Sequence, residues 1–285
     1  MSISPPVAAE GIRDVDVRGS GGATVAPLAW RVIRDGPGSG IDNMALDHAL
    51  AAGLGPKEAV LRLYSWERPT VSFGRNEPVR GLYSTEEAAR LGVHFVRRPT
   101  GGRAVLHDAE LTYAVVAPVR AWGSLREAYR LINEALAQAL GGLGAPVTIA
   151  RDNDTTALDT GPCFLSPAGG EVTARGRKLV GSAQCRIEGA LLQHGSIILD
   201  GDQQLLGRLT VGAGRASVED HPAPATLSGL VGEVSKADVA DSVTQAMRGA
   251  FAGEWVEGEY AADELAVAVR LAAERYGSTE WTWRR

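Results

Sequence analysis

Two short links, Arg175-Gly176 and Glu188-Gly189, separate three consecutive β-rich segments at 171–174, 177–187 and 191–199. A two-residue link makes neighbouring strands run antiparallel, because a parallel return needs a crossover of a dozen or more residues. The spacing therefore predicts an antiparallel meander in the second half of the chain. A doubly wound dinucleotide fold accommodates that poorly, and the sequence carries no G-x-G-x-x-G.

Upstream, residues 28–34 have strand composition, and 42–52 place Met44, Leu46, Ala49 and Leu50 at roughly helical spacing. Segments 59–66 and 70–73 read as a strand pair joined across Glu67-Arg68-Pro69. Ser84-Thr85-Glu86-Glu87 and Ser124-Leu125-Arg126-Glu127 are capping boxes. They open a helix closed by Gly92 and a longer one ending at Gly141-Gly142. Segments 93–97 and 111–117 are β-rich, 151–162 is a polar loop, and helices are expected over 238–251 and 263–275, with Gly277 as a C′ glycine. The fold class predicted is α/β (α+β), a mostly antiparallel mixed sheet with flanking helices. Residues 1–26, rich in Gly, Pro and Ser without period, read as a tail, and 27–285 as one catalytic domain that includes the C-terminal helices.

Composition narrows the function. A chain of 285 residues with 45% hydrophobic and 22% charged residues buries a full core. It has no run near the ~20 apolar residues of a membrane span, and no basic-then-apolar start of a secretory signal. A net charge of −5 argues against general nucleic-acid binding. Two cysteines make no disulfide framework, and no Cys/His spacing marks a metal site. The expectation is a cytoplasmic protein without membrane or nucleic-acid partners, metal or cofactor.

Several segments carry chemistry. Arg97-Arg98-Pro99-Thr100-Gly101-Gly102-Arg103 joins two strands with three arginines and a glycine pair. Such a loop suits close approach of backbone N–H groups to an anion or carbonyl, with guanidinium donors beside them. It equally suits a hairpin whose arginines are solvated. Cys163, in Gly161-Pro162-Cys163-Phe164, is a nucleophile if it ionises and a small gap-filling residue if not. Cys185 lies mid-strand and reads as structural. Lys178 is one of only three lysines and follows Arg175 and Arg177. It is either a group that lowers a nearby thiol's pKa or part of a solvated basic turn. His107 and His194 invite a Cys–His dyad or serve as satisfied core groups.

Together these stretches resemble the biotin/lipoate protein ligase superfamily, and within it the cysteine-dependent octanoyl–acyl carrier protein:protein N-octanoyltransferases. The matching segments are Asn43-Met44-Ala45-Leu46-Asp47, RRPTGGRAVLHDAELTY at 97–113, Pro162-Cys163-Phe164, GRKLVGSAQ at 176–184, LLQHGSIILD at 191–200, and the final Glu280-Trp281-Thr282-Trp283-Arg284-Arg285. The resemblance implies an antiparallel-rich α/β domain, a Cys163 nucleophile, and a Lys178 that lowers its pKa and contacts the acyl group. It implies an acyl pocket lined by Arg98, Gly101, Gly102, Arg103, Gly181, Ser182 and Ala183, with His194 shaping it. The donor implied is octanoyl-acyl carrier protein. The acceptors implied are lipoyl domains of 2-oxoacid dehydrogenases and the glycine cleavage H protein. After Cys163-Phe164 the chain reads Leu165-Ser166-Pro167-Ala168-Gly169-Gly170-Glu171, where the family often has an aromatic-bearing run. That departure bears on acceptor or chain-length preference, not on the nucleophile.

Rival readings are an ATP-dependent lipoate–protein ligase, an amidotransferase between lipoyl domains, a non-catalytic binding module, and a cysteine hydrolase. Ligases tend to carry a third glycine where this chain has Arg103, so Arg103 and Cys163 favour the transferase. Acidic donors and acceptors would need a local basic face on this acidic chain, expected from Arg97, Arg98, Arg103, Arg175, Arg177 and Arg186.

Overall fold

The computed structural model describes residues 27–150, 170–201, 203, 205–211 and 223–285. The segment read as a tail, the 151–162 stretch and Cys163 lie outside the described residues.

Strand β1 (Leu28–Gly38) leads through helix α1 (Gly40–Gly53) into β2 (Glu58–Trp66), which runs parallel to it. Ser39 starts α1 by accepting the Asp42 N–H on its side chain. β2 pairs antiparallel with β6 (Glu110–Pro118), β6 with β11 (Ala190–Ile198), and β11 with β10 (Val180–Ile187). At the other edge β12 (Gly253–Glu257) lies parallel to β1, where Trp255 stacks on Trp30 at 4.1 Å. The six-strand order is β10-β11-β6-β2-β1-β12, mixed and antiparallel over its first half, as expected.

Period-two alternation sorts the side chains of this sheet into two layers. Leu61, Leu63, Tyr113, Val115 and Leu191 face helices α3 (Leu125–Gly142) and α6 (Lys236–Ala250), where Ile132, Leu136, Val243 and Met247 complete the core. Val60, Tyr64, Ala114, Val116 and Leu192 face α1 and α7 (Ala262–Leu271). Among the described residues no helix is long and apolar enough to cross a membrane.

Two small sheets flank this body and alter the expected pairings. β3 (Thr70–Phe73) does not pair with β2; it sits between β4 (His94–Arg97), parallel, and β5 (Val105–His107), antiparallel. The 98–104 loop is therefore no hairpin, because it carries the chain past β3 from one neighbour to the other. Helices α2 (Thr85–Leu91) and α4 (Leu205–Leu209) cover this sheet. The meander is also interrupted. β8 (Val172–Ala174) pairs with β7 (Val147–Ile149) and with β9 (Arg177–Lys178) in a separate sheet. At Leu179 the same run passes into the main sheet as β10. Arg175 and Gly176 both take positive φ, 51° and 73°, which the two-residue turn demands.

The last long helix stops at Leu271 and continues as a π turn over Ala272–Tyr276. Gly277 ends it at φ −80°, not in the left-handed form expected. Glycine is needed there for another reason: a Cβ would lie 2.8 Å from the Ala272 carbonyl oxygen. Helices α5 (Leu227–Val231) and α8 (Thr279–Thr282) complete the fold.

Candidate active site

A pocket opens between β10, β11, β5 and Arg98 of the 98–104 loop. Met44, Tyr64, Trp66, Val105 and Ala183 give it an apolar lining, and Gly181 and Gly195 on adjacent strands thin one wall. A Cβ at Gly195 would lie 2.3 Å from the Gly181 carbonyl oxygen and 2.8 Å from the Tyr113 ring, so this wall has room only for glycine.

Two buried polar chains tie the arginine–glycine loop to the main sheet. In the first, Arg98 Nη1 donates to the Ser72 carbonyl at 2.8 Å and to Ser72 Oγ at 3.1 Å. Ser72 Oγ lies 2.7 Å from His107 Nε2, and His107 Nδ1 lies 2.8 Å from Glu110 Oε1. That oxygen also accepts from Ser196, Thr112 and Trp66, while Trp66 stacks on the His107 ring at 3.9 Å. Burial opposes ionisation of Glu110, but the adjacent His107 ring and the bonds from His107, Thr112 and Ser196 outweigh it and hold the carboxyl below its ordinary range.

In the second chain, His194 Nε2 lies 2.7 Å from Thr100 Oγ1, and Nδ1 lies 2.8 Å from Asp47 Oδ2. Asp47 is sealed from solvent and takes Tyr64 O–H at 2.9 Å and Arg62 Nη1 at 2.7 Å. Burial drives the His194 pKa down against the pull of Asp47, so the ring is neutral at neutral pH. The network then assigns the tautomer: Nδ1–H donates to the carboxylate, and Nε2 accepts from the Thr100 hydroxyl. Burial also opposes ionisation of Asp47, yet Arg62 and His194 prevail and its pKa falls.

The predicted site residues separate into groups. Arg98, Gly181, Ser182, Ala183 and His194 line the pocket. Arg98 is buried rather than solvated, and it braces its own loop through the Gly101 and Arg103 carbonyls, each 2.7 Å from Nη2. Gly101 and Gly102 are exposed on the loop, the latter at φ 89°, and Arg103 is half-buried; none of the three lines the pocket. Lys178 is buried, not part of a solvated turn, with Nζ 2.6 Å from Glu171 Oε1. It too lies outside the lining, three residues before Gly181 on the same run. The expected basic face loses Arg97 and Arg98, both buried. Neither His107 nor His194 meets a thiol among the described residues; both brace the loop.

Sequence reasoning missed Trp66, Ser72, Thr112 and Ser196 as lining groups, and Glu77 as a clamp that accepts the Gly74 and Ala104 N–H groups at 2.9 Å each. It also missed Asn133 of α3. Asn133 takes the Ser182 hydroxyl at 3.0 Å and donates to the Gly170 carbonyl at 2.9 Å, linking the pocket wall to the segment that carries Glu171. Asp47 stood inside a matched segment, but nothing local shows that its partner lies 147 residues away.

Residues 39–248 match the model of the lipoyl protein ligase A/B catalytic domain. The chain belongs to this family. Among curated relatives of this lipoyl ligase-type chain, octanoyltransferase LipM of Kyrpidia tusciae is 38% identical over 279 residues, covering 90% of this chain and 99% of the relative. Octanoyltransferase LipM of Moorella thermoacetica is 37% identical, covering 90% and 98%. Among solved structures, a lipoate-protein ligase A bound with ATP superposes at TM-score 0.76 and 21% identity, covering 90% of this chain and 99% of that one. A bi-partite lipoate protein ligase from Thermoplasma acidophilum does so at 0.74 and 21%, covering 90% and 96%. At that identity these structures establish the shared fold of the lipoyl ligase family and nothing finer.

Proposed function

We propose that this chain is an octanoyltransferase of lipoate biosynthesis, which moves an octanoyl group from acyl carrier protein through a thioester on Cys163 to a lysine of a lipoyl domain. The observation that carries the reading is the run 178–183, where a buried Lys178 leads directly into the Gly181–Ala183 wall of a largely apolar pocket. Kinship over nine-tenths of the chain with curated octanoyltransferases supports the same reaction. The lipoyl domains served are those of 2-oxoacid dehydrogenases and the glycine cleavage H protein, and the work is done in the cytoplasm by residues 27–285 as one catalytic domain.

The chemistry needs no ATP. The Cys163 thiol gives up its proton, the thiolate attacks the donor thioester carbonyl, an S–C bond forms as the carrier's S–C bond breaks, and the carrier's sulfur leaves as a thiol by taking up that proton. The acceptor lysine amine then attacks, the amide C–N bond forms, and the Cys163 S–C bond breaks, the thiol regaining the proton that the amine gives up. The first step exchanges one thioester for another, and the second is downhill because an amide is the more stable acyl derivative. A thiol of pKa ~8.5 is only a few per cent ionised at neutral pH, so a nearby ammonium from Lys178 raises the supply of nucleophile. The exposed Gly101–Gly102 main chain is a suitable donor to the tetrahedral oxyanion.

Intact-mass measurement after mixing with octanoyl-acyl carrier protein, without ATP, tests this reading. An octanoyl adduct on the native chain and none on Cys163→Ala is the expected result. Acceptor modification only when ATP and free acid are supplied would make the enzyme a ligase.

A further inference from the structure

The C-terminal strap gathers arginines beside the loop that rims the pocket. Val79 and Arg80 donate their N–H groups to the Arg285 main-chain oxygen, both at 3.0 Å, and Arg80 Nε donates to the Trp283 carbonyl at 2.7 Å. Arg284 Nη2 bonds the Arg75 carbonyl and reaches Asn76 Oδ1 at 3.3 Å. The Arg275 and Arg284 guanidinium carbons lie 3.9 and 4.1 Å from the Trp281 ring centroid, so an indole rather than an anion faces them both. Behind them Arg97 is fully buried, and its Nη2 has no hydrogen-bond partner among the described residues.

Among the described residues, Arg75, Arg80, Arg275, Arg284 and Arg285 form no ion pair with a carboxylate, although Glu274 and Glu280 are close in sequence. After burial, the influences on Arg284 are its neighbours Arg285, Arg75 and Arg275, all of which push its pKa down. On a chain of net charge −5, such a concentration of like charge costs stability and calls for an anionic partner. Its position indicates which one. Arg75 N–H donates to the Thr100 carbonyl at 2.8 Å, and Gly74 presses so closely on Gly102 that a Cβ there would meet its carbonyl oxygen at 1.8 Å. The arginines thus stand beside the loop whose Arg98 lines the pocket.

We infer that the Arg75–Arg275–Arg284–Arg285 face docks the acidic carrier that delivers the acyl group on a phosphodiester-linked thiol arm. Guanidinium forks match both phosphate and carboxylate oxygens. An arm passing over this face brings its thioester to the 98–103 loop. The inference rests on the transferase reading above, and it moves the docking surface from the arginines the sequence suggested to a different set.

The test compares two donors in the first half-reaction: octanoyl-carrier protein, and octanoyl-pantetheine, which has neither phosphate nor protein. Arg75 and Arg285 are exposed, so the double variant Arg75→Glu/Arg285→Glu spares the core. We expect its acylation by the carrier at low salt to slow by about tenfold or more, with acylation by octanoyl-pantetheine unchanged. Raising salt should abolish the difference between native and variant enzymes. Equal rates with the carrier, or an equal loss with both donors, would overturn the inference. So would a defect confined to transfer from pre-acylated enzyme to a lipoyl domain, which would make this the acceptor's surface. If the native enzyme takes no octanoyl group from either donor, the transferase reading itself fails and takes this inference with it.

Discussion

The Glu171 carboxylate lies 2.6 Å from the Lys178 ammonium across the β8–β9 hairpin, and both side chains are buried. Removing one member of a buried pair is costly because the other keeps its charge in a poorly solvating surround. Glu171→Gln should therefore destabilise the fold by about 3–5 kcal/mol in urea unfolding. Combining it with Lys178→Met should cost less than the sum of the two single changes. Strict additivity would show that the two groups do not support one another.

Acid should weaken the protein through its histidines. Burial, with Arg275 and Arg75 nearby, pushes the His48 pKa down to about 4, and burial likewise depresses His194. The unfolded chain takes up these protons near pH ~6.5 while the folded chain refuses them. The stability they contribute is thus complete above ~6.5 and declines as the pH falls toward about 4. Below the ordinary carboxylate range, Asp47 adds to the loss, since its pKa is also depressed. His48→Gln should flatten the decline, and a decline equally steep in the variant would refute the assignment.

Glycines in the site should differ sharply in their tolerance of alanine. At Gly195 the added carbon meets backbone, so Gly195→Ala should push β10 away from β11. That should cost about 1–3 kcal/mol and weaken acyl binding. At Gly101 nothing lies within 4 Å, and Gly101→Ala should leave the melting temperature unchanged. Thermal unfolding of the two variants side by side checks the contrast.

The two cysteines should behave differently toward thiol reagents. Burial raises the Cys185 pKa to about 11, leaving almost no thiolate at neutral pH. Native Cys163→Ala should therefore react with Ellman's reagent far more slowly than an ordinary exposed thiol. Fast labelling of that variant would show Cys185 to be open and ionised.

Much of this was legible in the sequence where chemistry and local spacing coincide. Ser84 and Ser124 cap helices by accepting the N–H three residues on, because such caps are built within one turn. Gly181, Ser182, Ala183 and His194 line the pocket because matched segments carried them together. Pairing was harder. Residues 70–73 have the composition of a partner for β2, yet β3 leaves for another sheet, a choice made by the arrival of β4 and β5. Solvation was the other failure. Arg97, Arg98 and Lys178 look like surface charge, but the carbonyls of Gly74, Glu77, Gly101 and Arg103 and the Glu171 carboxylate hold them inside. Those partners are set by how loops fold back, which no short window reveals.

The passage of one strand run between two sheets at Leu179 has an evolutionary consequence. Lys178 belongs to one sheet and the Gly181–Ala183 wall to the other, with no loop between them to absorb a change in length. Because a strand's side chains alternate, losing or gaining one residue upstream in this run would reverse which side chains face inward. Lineages of this fold can therefore adjust the ammonium and the acyl wall by replacing residues in place, whereas insertions and deletions are admissible only beyond the run's ends.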